Sequence, residues 1–101
     1  MRLAPVPLFY HPDRRQVLHH SAESARTTHG AAECLDTSRL FGDMLARALS
    51  GAPKPDVLFG RNSDAIASPA IRVIARGAYR EKSDDDIRGS GYVVACLEAA
   101  L

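Results

Sequence analysis

Apolar residues along this chain recur at three- and four-residue intervals, the spacing that gathers side chains on one face of an α-helix. The plainest run follows Thr27-Thr28-His29. Ala31, Cys34, Leu35, Ser38, Phe41, Gly42, Leu45, Ala48 and Leu49 keep the helical period with only Ser38 polar. Asp43 and Arg47 form an i,i+4 pair on the opposite side. Ser50-Gly51 followed by Pro53 ends the run. Thr27 or Thr28 is placed to cap it, because a threonine oxygen accepts one of the unpaired first-turn N–H groups.

The same period predicts a helix on either side. Pro12 and Asp13 offer a start, and Arg14, Val17, Leu18, Ser21, Ala22 and Ala25 then form a face. Its small residues would let another backbone approach closely. Downstream, Ser68-Pro69 is a start signal for a helix with Ile71, Ile74, Ala75 and Ala78 buried, and Gly77 weakens its end. Ser90 is placed to cap a last helix with Tyr92, Val93, Cys96, Leu97, Ala100 and Leu101 on one side. Residues 51–67 read as a loop holding at most one helical turn, with Gly60 and Asn62-Ser63-Asp64 in it, and residues 82–89 as an acidic loop. Met1 to Tyr10 is apolar almost throughout and reads as a buried segment, which Pro5 and Pro7 limit to a short helical turn or an extended piece. No stretch alternates as a strand would. The fold class is all-α, with about four main helices in a single domain over residues 1–101.

Composition adds little beyond a soluble globular domain. The chain has 101 residues, 46% hydrophobic and 25% charged, with a formal net charge of +1. That charge gives no electrostatic case for nucleic acid or an anionic membrane. Cys34 and Cys96 lie far apart on apolar helical faces and read as buried free thiols, which fits a reducing cytoplasm. The N-terminal stretch is too short and proline-interrupted for a signal segment, and no later run could span a bilayer. The expected location is the cytoplasm.

Candidate chemistry is sparse. His19 and His20 are adjacent, so on a helix their rings should diverge, and no His/Cys pair stands at ligand spacing. Asp84-Asp85-Asp86 could hold magnesium through carboxylate oxygens, but a solvated loop ahead of a helix accounts for it equally simply. Thr27-Thr28-His29 is more informative. A histidine in the first turn of a helix sits among unpaired N–H groups and suits an anionic or hydroxyl-rich ligand, the alternative being a structural histidine. Gly89-Ser90-Gly91-Tyr92 likewise delivers an aromatic at a helix start, or simply caps it.

Taken in order, three segments carry a resemblance. They are Met1-Arg-Leu-Ala-Pro-Val-Pro-Leu, then Ser21-x-x-Ser-x-x-Thr-Thr-His29, then Ile87-x-Gly-Ser-Gly-Tyr-Val-Val-x-x-Leu-Glu-Ala-Ala-Leu101. Together they resemble the ADP-ribosylglycohydrolases, the group that includes the dinitrogenase-reductase-activating enzymes. The resemblance covers essentially the whole chain. It implies a helical fold that removes ADP-ribose from modified protein side chains, with two Mg²⁺ ions serving the ribose hydroxyls and the attacking water. By the same resemblance, Met1 and Arg2 follow a ligand-contacting Asn-Gly loop. Thr28 and His29 line the ligand, and Ser90, Gly91 and Tyr92 border the same cleft.

The departures weigh as much. The early Gly-Asp segment, the Asp-Asp-Thr motif and the later Asp-x-Asp-Thr motif, which hold the metals in the family, are absent here, as is the Asn-Gly pair. Two hard cations need convergent carboxylates. No catalytic residue and no metal ligand is therefore assigned, and the chain is expected to bind no Mg²⁺ and to be inactive by itself. It reads as a partial ADP-ribosylglycohydrolase-like bundle, as a truncated reading frame or split gene would produce. The alternative is a non-catalytic helical interaction module, or a remnant of an enzyme, that binds a partner or itself through exposed helix faces.

Overall fold

The computed structural model describes residues 2–59 and 65–101. Met1, Gly60 and the Asn62-Ser63-Asp64 turn named above lie outside them. Among the described residues the protein is all-helical, with no strand. Its elements are α1 (Pro5–Tyr10), α2 (Arg14–Arg26), α3 (Ala32–Leu49), α4 (Lys54–Leu58), α5 (Pro69–Ala75) and α6 (Val93–Ala100). Two 3₁₀ turns, Ala78–Glu81 and Asp84–Asp86, fill the way from α5 to α6. The four helices expected from periodicity are α2, α3, α5 and α6, and the short α1 and α4 are added to them.

Local chemistry explains most boundaries. Asp13 caps α2, its carboxylate accepting from the Gln16 N–H at 3.2 Å. Asp13→Ala should cost about 1 kcal/mol, read as a lowered urea midpoint at unchanged slope. The end of α3 is a Schellman turn: Gly51 at φ 78° donates to the Ala48 carbonyl, and the Ala52 N–H reaches the Arg47 carbonyl. Gly77 ends α5 at φ 80°, and a Cβ there would also strike the Phe59 ring, 2.8 Å from Cδ1.

α3 is the axis of the fold. One side of it meets α5 and α6 in a core of Leu40, Met44, Ile66, Ile71, Ile74, Ala75, Tyr79 and Leu97, with Phe41, Val57, Phe59, Val94 and Leu101 packed around it. α2 lies along another side, where Gly42 faces Ser21 and Val17. The small residues of α2 do admit the neighbouring backbone. The acidic loop is tied back to α6 by Lys82 and Glu98, 2.6 Å apart.

Several expectations need correction. Leu40, Met44 and Ala46 are buried, whereas Ala48 and Leu49 at the end of the expected stripe are exposed. α3 has neighbours on more than one side, so a single stripe could not describe it. Asp43 and Arg47 do pair, at 2.9 Å, but Asp43 is buried and also takes Arg14 of α2 at 2.6 Å. The pair belongs to a helix interface instead of a solvent face. In the N-terminal segment only Pro7 is buried, and Leu8 and Phe9 of α1 are 64% and 79% exposed. Cys34 is partly exposed and Cys96 exposed, both free, because α6 turns Leu97 inward in place of Cys96. The His19 and His20 rings do not diverge; they meet edge to face at 4.9 Å, drawn together where His20 stacks on Tyr10 at 4.1 Å.

Candidate functional site

The link between α2 and α3 assembles the largest share of the residues singled out from sequence. α2 ends at Arg26, and Thr27 occupies its C-cap. The Thr27 hydroxyl donates to the Ser24 carbonyl at 2.8 Å and the Thr28 hydroxyl to the Ala25 carbonyl at 3.5 Å. These threonines therefore close α2 and do not open α3, whose N-cap position is Ala31 with no side-chain cap. The physical reason is that a hydroxyl three residues past a helical carbonyl can satisfy it, and the chain needs Gly30 and Ala31 to turn before α3 begins. His29 is consequently in the link, not in a helical first turn, with its N–H held by the Ala25 carbonyl at 2.8 Å. The anion-binding rationale drawn from a helix N-terminus does not apply to it.

What does apply is a side-chain cluster. The Arg2 guanidinium donates to Thr27 Oγ1 at 3.1 Å and Thr28 Oγ1 at 3.4 Å. His29 Nδ1 hydrogen-bonds Thr28 Oγ1 at 2.9 Å. Arg2, Thr27, Thr28 and His29 are all exposed. A fixed cation, two hydroxyls and an imidazole at one surface point can offer hydrogen bonds to an anionic, hydroxyl-bearing ligand. Met1 lies outside the described residues.

The Gly-Ser-Gly-Tyr segment sits at the other end of that link. Ser90 does not cap α6; its Oγ accepts the Tyr92 N–H at 3.1 Å in a serine turn, and Tyr92 itself takes the N-cap position. A two-residue reach makes a turn, whereas a capping hydroxyl serves an N–H inside the helix. Ser90, Gly91 and Tyr92 are exposed. The Tyr92 hydroxyl donates to Glu33 Oε2 at 2.7 Å, on the first turn of α3. The structure thus ties Tyr92 to α3 through Glu33, and Arg2 to the Thr-His link, without a direct bond between the two groups.

Sequence reading missed Glu33 and Asp36. Asp36 is buried and accepts the backbone N–H groups of Ala67 and Ser68 at 3.0 and 2.8 Å and Arg39 at 2.8 Å. Burial pushes its carboxyl pKa up, but the hydrogen bonds from Ser68 and Arg39 more than offset this and hold it below the ordinary value. Ser68 stands at the N-cap position of α5 as expected, yet its side chain makes no cap; its own N–H is spent on Asp36. An acid three residues before an arginine within a helix is the signal that could have found this anchor.

Magnesium does not fit the described residues. Among them no group of three or more His, Cys, Asp or Glu converges on a point. Asp36 and Asp43 are engaged by arginines, and in the acidic turn Asp86 accepts from Ser83 at 2.8 Å. Nor is any described helix long and apolar enough to cross a membrane.

The comparisons with known proteins bear on the whole length. Residues 1–101 match the ADP-ribosylglycohydrolase family model. The chain is 38% identical over 103 aligned positions to "ADP-ribosylarginine hydrolase Tri1" of Pseudomonas putida (strain GB-1), covering 100% of this chain and 27% of that protein. It is 30% identical over 103 positions to the protein of the same name from Serratia proteamaculans (strain 568), with the same coverage. The chain therefore spans about a quarter of the length of these relatives. No solved structure matches it. With the family model matched from the first residue to the last, the chain belongs to the ADP-ribosylglycohydrolase family.

Proposed function

We propose that this chain carries the ADP-ribose-contacting part of a hydrolase that removes ADP-ribose from modified protein side chains. The observation that carries this is the Arg2–Thr27–Thr28–His29 cluster, in a chain matched along its whole length by the family. The names of both relatives make arginine the modified residue, so the bond to be broken is the N-glycosidic link between ribose and a guanidinium. In that hydrolysis water adds to the anomeric carbon and the guanidine group leaves. The role of the chain's own residues is to hold the ligand: Arg2 against pyrophosphate charge, Thr28 and His29 against hydroxyls, with Ser90, Gly91 and Tyr92 along the border.

Mg²⁺ belongs to this reading as the group that would orient ribose hydroxyls and water in the complete enzyme. The family's aspartate motifs are missing from this sequence. The chain by itself is therefore expected to bind ADP-ribose without hydrolysing it. Its expected setting is the cytoplasm, where ADP-ribosylated proteins would be its partners.

Isothermal titration of the full chain with ADP-ribose tests the reading. Micromolar affinity is expected, reduced about tenfold, or ~1.4 kcal/mol, by His29→Ala. Unchanged affinity in that variant would remove His29 from the site, and no binding at all would overturn the ligand-site reading. Magnesium-dependent release of free ADP-ribose by the purified chain would overturn its inactivity. A second reading, a non-catalytic interaction module, is favoured by the exposed Leu8 and Phe9 on α1. It takes over if ADP-ribose fails to bind.

A further inference from the structure

The contact between Tyr92 and Glu33 joins residues 59 positions apart in sequence, at 2.7 Å. Each end of it is placed by something other than the contact itself. Glu33 lies in the first turn of α3, where a carboxylate is favoured by the helix dipole and its backbone is fixed by Thr27–Ala31 entering the helix. Tyr92 lies at the N-cap position of α6, after the Gly89-Ser90-Gly91 turn that gives it freedom to swing. The tyrosine ring is 53% exposed, so apolar packing alone does not hold it. Ser90 fixes only its backbone, through the Tyr92 N–H. The remaining restraint on the ring is the hydroxyl, and Glu33 holds that.

We propose that Glu33 is a positioning residue for the ligand site: its carboxylate anchors the Tyr92 ring on the first turn of α3, directly after the Thr27–His29 link. The proposal rests on the ADP-ribose reading above and adds to it a residue that the motifs did not single out. Holding one aromatic face in place before the ligand arrives lowers the ordering cost of binding. A charged acceptor makes the hydrogen bond stronger than a neutral one would. The contact also leaves a spectroscopic mark. The hydrogen bond to Glu33 favours the protonated phenol, with burial and the carboxylate's charge adding to it, so the Tyr92 pKa lies above the ordinary value.

Glu33→Ala, Glu33→Gln, Tyr92→Phe and the Glu33→Ala/Tyr92→Phe pair in the full chain provide the test, with circular dichroism confirming that each is folded. ADP-ribose affinity should fall about tenfold in Glu33→Ala and about as far in Tyr92→Phe, with little further loss in the double variant, since both remove one contact. Glu33→Gln keeps an acceptor and should restore most of the affinity. In ultraviolet titration of the tyrosines, Tyr92→Phe identifies the Tyr92 step, and that step should move to lower pH in Glu33→Gln. An unmoved step, or additive losses in the double variant, overturns the positioning role. If the unmodified chain binds no ADP-ribose, the ligand reading fails, while the titration still decides whether Glu33 holds Tyr92.

Discussion

Asp36→Ala is expected to lower the folding stability by about 3–5 kcal/mol, a large part of the ~5–15 kcal/mol that a small domain has. Its carboxylate is buried in α3 and is the acceptor for two backbone N–H groups of the segment that enters α5. Alanine would leave the Ala67 and Ser68 donors without that acceptor and strip Arg39 of its 2.8 Å partner. Each orphaned group costs on the order of 1–3 kcal/mol. The adjoining Ile66 and Ile71, both in the core, would lose the strut that sets their distance from α3. Urea unfolding should show the loss directly; a change within about 1 kcal/mol would mean that Asp36 is not the anchor between α3 and α5.

The same carboxyl gives a pH signature whose sign is fixed by its depressed pKa. In the unfolded chain Asp36 titrates near ~3.9, and in the folded protein lower. Its stabilisation is therefore fully present above about pH 4 and is lost as pH falls through the folded value. Asp36→Asn should flatten that part of the stability profile while weakening the protein at neutral pH. A profile below pH 4 unchanged by the asparagine would show that other carboxylates govern acid unfolding.

Asp36 also illustrates where sequence reading stops. Period and punctuation found α2, α3, α5 and α6, because an amphipathic stripe bounded by Ser-Pro, Asp or Gly is a local property. They did not find the residues that join the helices. Asp36 and Asp43 look like ordinary solvent-facing acids until Ser68 and Arg14 are brought to them from 32 and 29 residues away. The candidate site divides in the same way. The Thr-His link and the Gly-Ser-Gly-Tyr turn were legible as motifs, but their helix-capping roles were not, since a threonine can satisfy the helix behind it as readily as the one ahead. Arg2 meeting both threonines, and Glu33 meeting Tyr92, are long-range pairings that no local pattern encodes.

Gly42→Val is the other substitution with a large expected effect, about 3 kcal/mol, at the upper end of overpacking. Gly42 is where α3 comes closest to α2. A Cβ added there would overlap Ser21 Oγ and stand 3.1 Å from Ser21 Cβ and 3.6 Å from Val17 Cγ1. Ser21 and Val17 are fully buried, so neither can swing into solvent. Gly42→Ala should cost less, because the ~1 kcal/mol gain in helix propensity offsets part of the collision. Ser21→Ala added to Gly42→Ala deletes the overlapping atom, which is also a buried hydroxyl without a hydrogen-bond partner, and should recover part of the loss. Non-additivity above ~0.5 kcal/mol in that cycle is the expected result, and additive losses would place the close approach elsewhere. The consequence reaches the site, because α2 ends in Thr27 and Thr28 and Glu33 begins α3. A wedge at Gly42 that parts the two helices should weaken ADP-ribose binding in proportion to the lost stability, and Ser21→Ala should restore both together.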